Sequence, residues 1–151
     1  MAAFSLSEFF DNFAGFGLRR WFHYRASGWL PASMKPWVKK QAADSAELKT
    51  YLANCAELAD RVIEKHDVNL VFFPMHVSAS ENDPEFAKQV VALMRNPQRT
   101  LVIEGDGVSL SEYLGLIRQA RFFIASRLHS AILATVANVP SVCLYYVDKG
   151  R

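Results

Sequence analysis

FFIASRLHSAILATVANVPSVCLYY, Phe122 to Tyr146, decides the fold, because it reads as strand, tight turn, helix and strand. Phe122 to Ala125 is an apolar run of the length of a buried parallel strand, and Leu128 to Val139 is helix-length and apolar almost all round. Pro140 is expected to end that helix, and a second buried strand carrying Cys143 is expected to follow. Arg127 and His129 fall in the turn. The first N–H groups of a helix have no intrahelical partners and carry the positive end of its dipole, so a phosphate or carboxylate suits that position. Arg127 adds a bidentate fork and His129 a titratable proton. The plain alternatives are a salt bridge from Arg127 to a neighbouring carboxylate and a satisfied core histidine. Against them, a cation at a helix N-terminus opposes the dipole unless an anion joins it. Ser126 and Ser130 are candidate N-caps or phosphate donors.

Upstream, the chain alternates in the same way. From Ser45 to His66, Leu48, Tyr51, Leu52, Cys55, Leu58, Ala59, Val62 and Ile63 recur at three- and four-residue steps, which specifies a long amphipathic helix. Leu70 to Phe73 reads as a buried strand and Ser78 to Asp83 as a polar loop. Asp83-Pro84 starts a helix, with a capping carboxylate and buried positions Phe86, Ala87, Val90, Leu93 and Met94. Asn96-Pro97 stops it. Thr100 to Ile103 is the next strand, and Ser109-Leu110-Ser111-Glu112 is a capping box opening a helix with Leu110, Tyr113, Leu114 and Ile117 on one side. Such alternation predicts an α/β domain: a Rossmann-like parallel sheet with helices on both faces and ligands outside the carboxyl ends of the strands.

His76 follows a strand at that edge. Arg19 closes another candidate strand beginning at Gly15, and Arg20 competes with it, since neighbouring strand residues face opposite sides. Glu104 ends the third strand and stays open as a ligand contact, whereas Glu112 is explained by its capping box. Gly105-Asp106-Gly107 lacks the spacing of a dinucleotide fingerprint. No His/Cys/Asp cluster has metal-ligand spacing and no GxSxG elbow is present, so metal and serine-hydrolase chemistry are disfavoured.

The chain has 151 residues, 51% of them hydrophobic, enough for one domain with a real core. A formal charge of +2 gives no reason to expect nucleic acid. Cys55 and Cys143 stand far apart, on a helix's apolar face and in a strand, which suits a reducing compartment. No signal-like start and no run of about 18 apolar residues occurs. The expected location is therefore the cytoplasm, including the inner face of the membrane. Arg19, Arg20, Arg25, Lys35, Lys39 and Lys40 are interleaved with Trp21, Phe22, Tyr24, Trp29 and Trp37. His23 to Ala43 lacks clear periodicity and reads as a functional loop. Packing against a second domain is the plainest use of this basic aromatic span, and a sugar platform the next.

The stretch SRLHSAILATVANVPSVCLYYVDKGR resembles the closing motif of the polysaccharide pyruvyl transferase family: an arginine-leucine-histidine step, a small-residue helix, a proline-led strand and a tyrosine. Gly15-Phe16-Gly17-Leu18-Arg19-Arg20-Trp21 is similar to that family's strand ending in arginine and tryptophan, and Leu70 to His76 to its second strand. The resemblance implies the C-terminal half of a glycosyltransferase-B-like fold, with residues 15–151 forming the domain, residues 1–14 unassigned, and an N-terminal domain missing from a two-domain enzyme. It implies transfer of a pyruvyl group from phosphoenolpyruvate to a sugar of a polysaccharide or lipid-linked glycan, giving a pyruvate ketal without a resident cofactor or metal. His129 or His76 would then supply the acid, with Arg19, Arg127, Leu128, Ser126, Ser130 and Glu104 contacting substrate. A nucleotide-sugar glycosyltransferase or epimerase of the same architecture and a non-catalytic glycan-binding module are the alternatives.

Overall fold

The computed structural model describes residues 6–20, 46–77, 82–104 and 107–144. The basic aromatic span from residue 21 to 45 lies outside them, as do residues 78–81, 105, 106 and the stretch from 145 onward. Among the described residues, one parallel sheet is built from β1 (Phe13–Gly17), β2 (Asn69–Phe72), β3 (Thr100–Val102), β4 (Phe123–Ala125) and β5 (Ser141–Cys143). Its order is β3-β2-β1-β4-β5. The helices are α1 (Leu6–Asp11), α2 (Ala46–His66), α3 (Asp83–Val91), α4 (Leu110–Ile117) and α5 (Leu128–Val136).

Strand alternation sorts side chains to two faces. Ala14, Phe16, Leu70 and Phe72 pack with Leu48, Cys55, Ala59 and Ile63 of α2 and Phe86 and Val90 of α3. Phe13, Val71, Phe73, Phe123 and Ala125 pack on the other face with Tyr113 and Ile117 of α4 and Ala134 of α5. Helices therefore cover both faces, as expected for a Rossmann-like sheet. Phe9 of α1 joins the second core, and Asn69 Nδ2 donates to the Phe9 carbonyl at 3.0 Å. The sequence gives α1 no helical pattern of its own. β1 begins at Phe13, two residues ahead of the strand start expected at Gly15.

Several local expectations change. Helix α5 stops at Val136, ahead of Pro140, because Asn138 adopts φ 58° and closes a Schellman motif: Val139 N–H donates to Ala134 O and Asn138 N–H to Thr135 O. β5 is exposed throughout, and Cys143 with it, since β4 is its one neighbour among the described residues. Leu93 and Leu110 are exposed as well. Leu93 lies past the end of α3, and Leu110 is the first residue of α4, before the turn that meets the core. The cap of α3 is Asn82, whose side chain accepts from Glu85 N–H, so the Asp83 carboxylate is used elsewhere. The capping box of α4 forms as read, with Ser109 and Glu112 each bonding the other's backbone N–H.

Asp60 of α2 fixes the turn after α3. It is 1% exposed, and it accepts from Arg95 N–H at 2.8 Å, Asn96 N–H at 3.0 Å and Asn96 Nδ2 at 3.1 Å. A buried carboxylate that accepts several hydrogen bonds is satisfied without water.

Candidate active site at the carboxyl edge of the sheet

The strand order reverses between β1 and β4, and in doubly wound sheets the crevice outside such a switch point is where ligands bind. Gly17 pairs with Ala125 there, and Ser126 N–H continues the ladder to Gly17 O at 2.8 Å. Arg19 and Arg127 each lie two residues beyond that pair. On the other side of β1, Phe73 N–H donates to Phe16 O, so the exit of β2 through Pro74, Met75 and His76 borders the same edge.

Arg127 occupies the N-cap position of α5 in an extended conformation, with no side-chain capping bond. Neither Ser126 nor Ser130 is the cap. The Ser126 hydroxyl donates to Gly17 O at 3.2 Å and so staples β4 to β1. Ser130 is fully buried with its Oγ unpartnered, and a Cβ on Gly17 would lie 2.6 Å from that oxygen. Glycine at position 17 is what lets α5 approach β1 this closely. Leu128 and His129 open the helix and are exposed at its N-terminal end.

Arg127 does pair with a neighbouring carboxylate, that of Asp83. Arg127 Nη2 stands 2.7 Å from Asp83 Oδ1, with side chains 10% and 1% exposed. Asp83 Oδ2 accepts from Met75 N–H at 3.1 Å and His76 N–H at 3.0 Å, while Asp83 N–H donates to His76 O at 2.9 Å. Arg127 and the His76 backbone are therefore held by one carboxylate, and the exposed His76 sits on a braced loop. Tyr113 supports the same loop through its hydroxyl, which donates to Pro74 O. Burial raises the Tyr113 phenol above its ordinary range, and the Asp83 charge adds to that, so the hydroxyl stays a donor.

Arg19 is half-buried just past β1, and its carbonyl accepts the Tyr51 hydroxyl at 2.9 Å. Glu104 is not brought to this group. It leaves β3 at the far edge of the sheet and pairs with Lys88 Nζ at 2.6 Å, which lowers its carboxyl and raises the lysine. Among the described residues no three His, Cys, Asp or Glu side chains group as metal ligands. No described helix is long and apolar enough to cross a membrane. Asp83 is the site residue that the sequence hid, because Asp-Pro at a helix start looks like a cap. Asn82 immediately before it was the available signal, since one helix needs only one capping side chain.

A doubly wound sheet with Arg19, His76, Arg127 and His129 following the strands at its switch-point edge defines a Rossmann-like α/β domain. The chain belongs to the polysaccharide pyruvyl transferase family, whose pattern it matches over residues 24–148. It is thus a transferase of a family named for moving pyruvyl groups and for polysaccharides. His76, Arg127 and His129 lie inside the matched span, and Arg19 precedes it. No curated protein and no solved structure matches the chain.

Proposed function

We propose that this edge binds phosphoenolpyruvate as donor and that the enzyme transfers its pyruvyl group to a glycan as a ketal, releasing phosphate. The observation that carries this reading is the placement of Arg19 and Arg127 two residues beyond the Gly17–Ala125 pair at the switch point. Phosphoenolpyruvate carries a carboxylate and a phosphate, and two arginines leaving paired strands at the edge where α5 begins would match two anionic groups. The N–H of Leu128 is among the first of that helix. Ser126 and Ser130 set the turn's position against Gly17, the one by its hydrogen bond and the other by contact.

A proton delivered to the donor's methylene carbon makes its C2 electrophilic. One sugar hydroxyl then adds at C2, and a second displaces phosphate to close the ketal, each losing its proton. His129, exposed beside Arg127, is the assigned acid, and His76 is its competitor on the facing loop. General acid catalysis contributes about 10²–10⁴ in rate. No resident cofactor enters this chemistry, and the acceptor is a polysaccharide or lipid-linked saccharide met in the cytoplasm or at the inner membrane face. The test is His129→Gln against His76→Gln. The assigned acid should lower kcat by about 10²–10⁴ with donor Kd nearly unchanged. If both variants retain wild-type kcat, this assignment of the chemistry is wrong.

A further inference from the structure

We propose that Asp83 is a built-in counter-charge to Arg127, so that an anion reaching Arg127 competes with an internal carboxylate. This rests on the reading of the edge as an anion site. The Asp83 carboxylate is not needed as a helix cap, because Asn82 fills that role. Its bonds run instead from the loop after β2, at Met75 and His76, to the turn after β4, at Arg127. β2 and β4 flank β1, so this one side chain spans the end of the central strand, the place where the ligand crevice opens.

A guanidinium carries five N–H donors in a planar fork and can serve two anions at once. Asp83 engages the fork through Nη2 alone. It also lowers the net charge that an incoming anion meets. An anion on the far side of the fork would sit about 6 Å from the carboxylate, where like charges at an effective dielectric of ~40 repel enough to weaken binding about tenfold. Such a counter-charge keeps the hold on the anion moderate, which suits a site that must release free phosphate at each turnover. A partner that served stability alone would leave anion affinity unchanged or reduced when removed.

The sign of the effect makes the test. Affinities for inorganic phosphate and phosphoenolpyruvate are measured by calorimetry on the full chain as wild type, Asp83→Asn and Asp83→Asn/Arg127→Gln, with melting curves in anion-free buffer and in phosphate. Asp83→Asn should bind inorganic phosphate about tenfold more tightly than wild type, and the added Arg127→Gln should abolish that gain. Removing one partner of a buried pair is destabilising. Asp83→Asn should therefore melt lower without anions and be restored by phosphate more than wild type is, since phosphate takes the place of the lost carboxylate. If the variant is unfolded in anion-free buffer, the same titration is followed as refolding by circular dichroism. Phosphate affinity no higher than wild type, absence of rescue by phosphate, or a gain that survives Arg127→Gln overturns the proposal. Wild type that ignores phosphoenolpyruvate, beside an Asp83→Asn protein that gains phosphate through Arg127, would remove the proposed donor and leave the counter-charge standing.

Discussion

Replacing Gly17 with alanine would put a methyl group 2.6 Å from Ser130 Oγ, 2.7 Å from Ser130 Cβ and 3.1 Å from Phe123 Cε1. Gly17 does not have a positive φ, so the effect is steric alone. Two contacts below 3.0 Å against a buried helix residue cannot be relieved by a surface rotamer, and overpacking of this kind costs about 1–3 kcal/mol. For a chain of this length a loss of ~2 kcal/mol corresponds to a fall in Tm of about 4–8 °C. Because Arg127 is the residue at the N-terminus of the helix that must give way, phosphoenolpyruvate affinity should fall in parallel. Urea unfolding of wild type, Gly17→Ala, Ser130→Gly and the double variant forms the assay. Ser130→Gly removes both clashing atoms, so the cycle should show a favourable coupling of about 1–2 kcal/mol. Gly17→Ala within about 0.5 kcal/mol of wild type, or strict additivity, would refute the close packing of α5 on β1.

Three further outcomes follow from other parts of the structure. Asp60→Ala strips the acceptor from the Arg95 and Asn96 N–H groups and should cost about 3 kcal/mol in urea unfolding, with a loss under 1 kcal/mol speaking against the network. Ser130→Ala deletes a buried hydroxyl without a partner and should stabilise the ligand-free protein by about 1 kcal/mol; a clear destabilisation would mean the hydroxyl is satisfied. Ser109→Ala should cost about 1 kcal/mol at neutral pH. The Ser109 bonds hold the Glu112 carboxyl below its usual 4.5, so their contribution is present above that value and lost as pH falls through the lowered one. The gap in Tm between Ser109→Ala and wild type should therefore narrow on acidification below about pH 4.5, and a gap independent of pH would contradict the capping-box account.

The helix α2 is legible because period and burial agree there: Leu48, Cys55, Ala59 and Ile63 fall on one stripe and are buried. The strand and helix of β4 and α5 are legible from their apolar runs, yet Leu128, Ile132 and Val136 of α5 are exposed, so that helix is not buried all round. The reversal at β1 was not legible, since strand order depends on crossovers that no local pattern encodes. Edge and centre also look alike in sequence, which is why apolar Ser141–Cys143 reads as buried and is exposed. Pro140 is the louder signal for the end of α5, whereas Asn138 makes the stop two residues earlier. At the site, a strand-to-helix turn announced Arg127 and His129. Glu104 looked equivalent by position, yet it emerges from the outermost strand and spends its charge on Lys88. Asp83 was invisible as a partner of Arg127 because 44 residues separate the two, and only the fold joins them.

The central claim, that the switch-point edge holds phosphoenolpyruvate through the Arg127 fork, is tested most directly by titrating the donor into wild type and Arg127→Lys under identical conditions. Lysine keeps a cation to face Asp83 and loses the planar fork, so the account predicts saturable binding by wild type and affinity about tenfold weaker in the variant. A nucleotide sugar should not compete in either protein. Equal affinities for phosphoenolpyruvate, or displacement of it by a nucleotide sugar, would contradict the account.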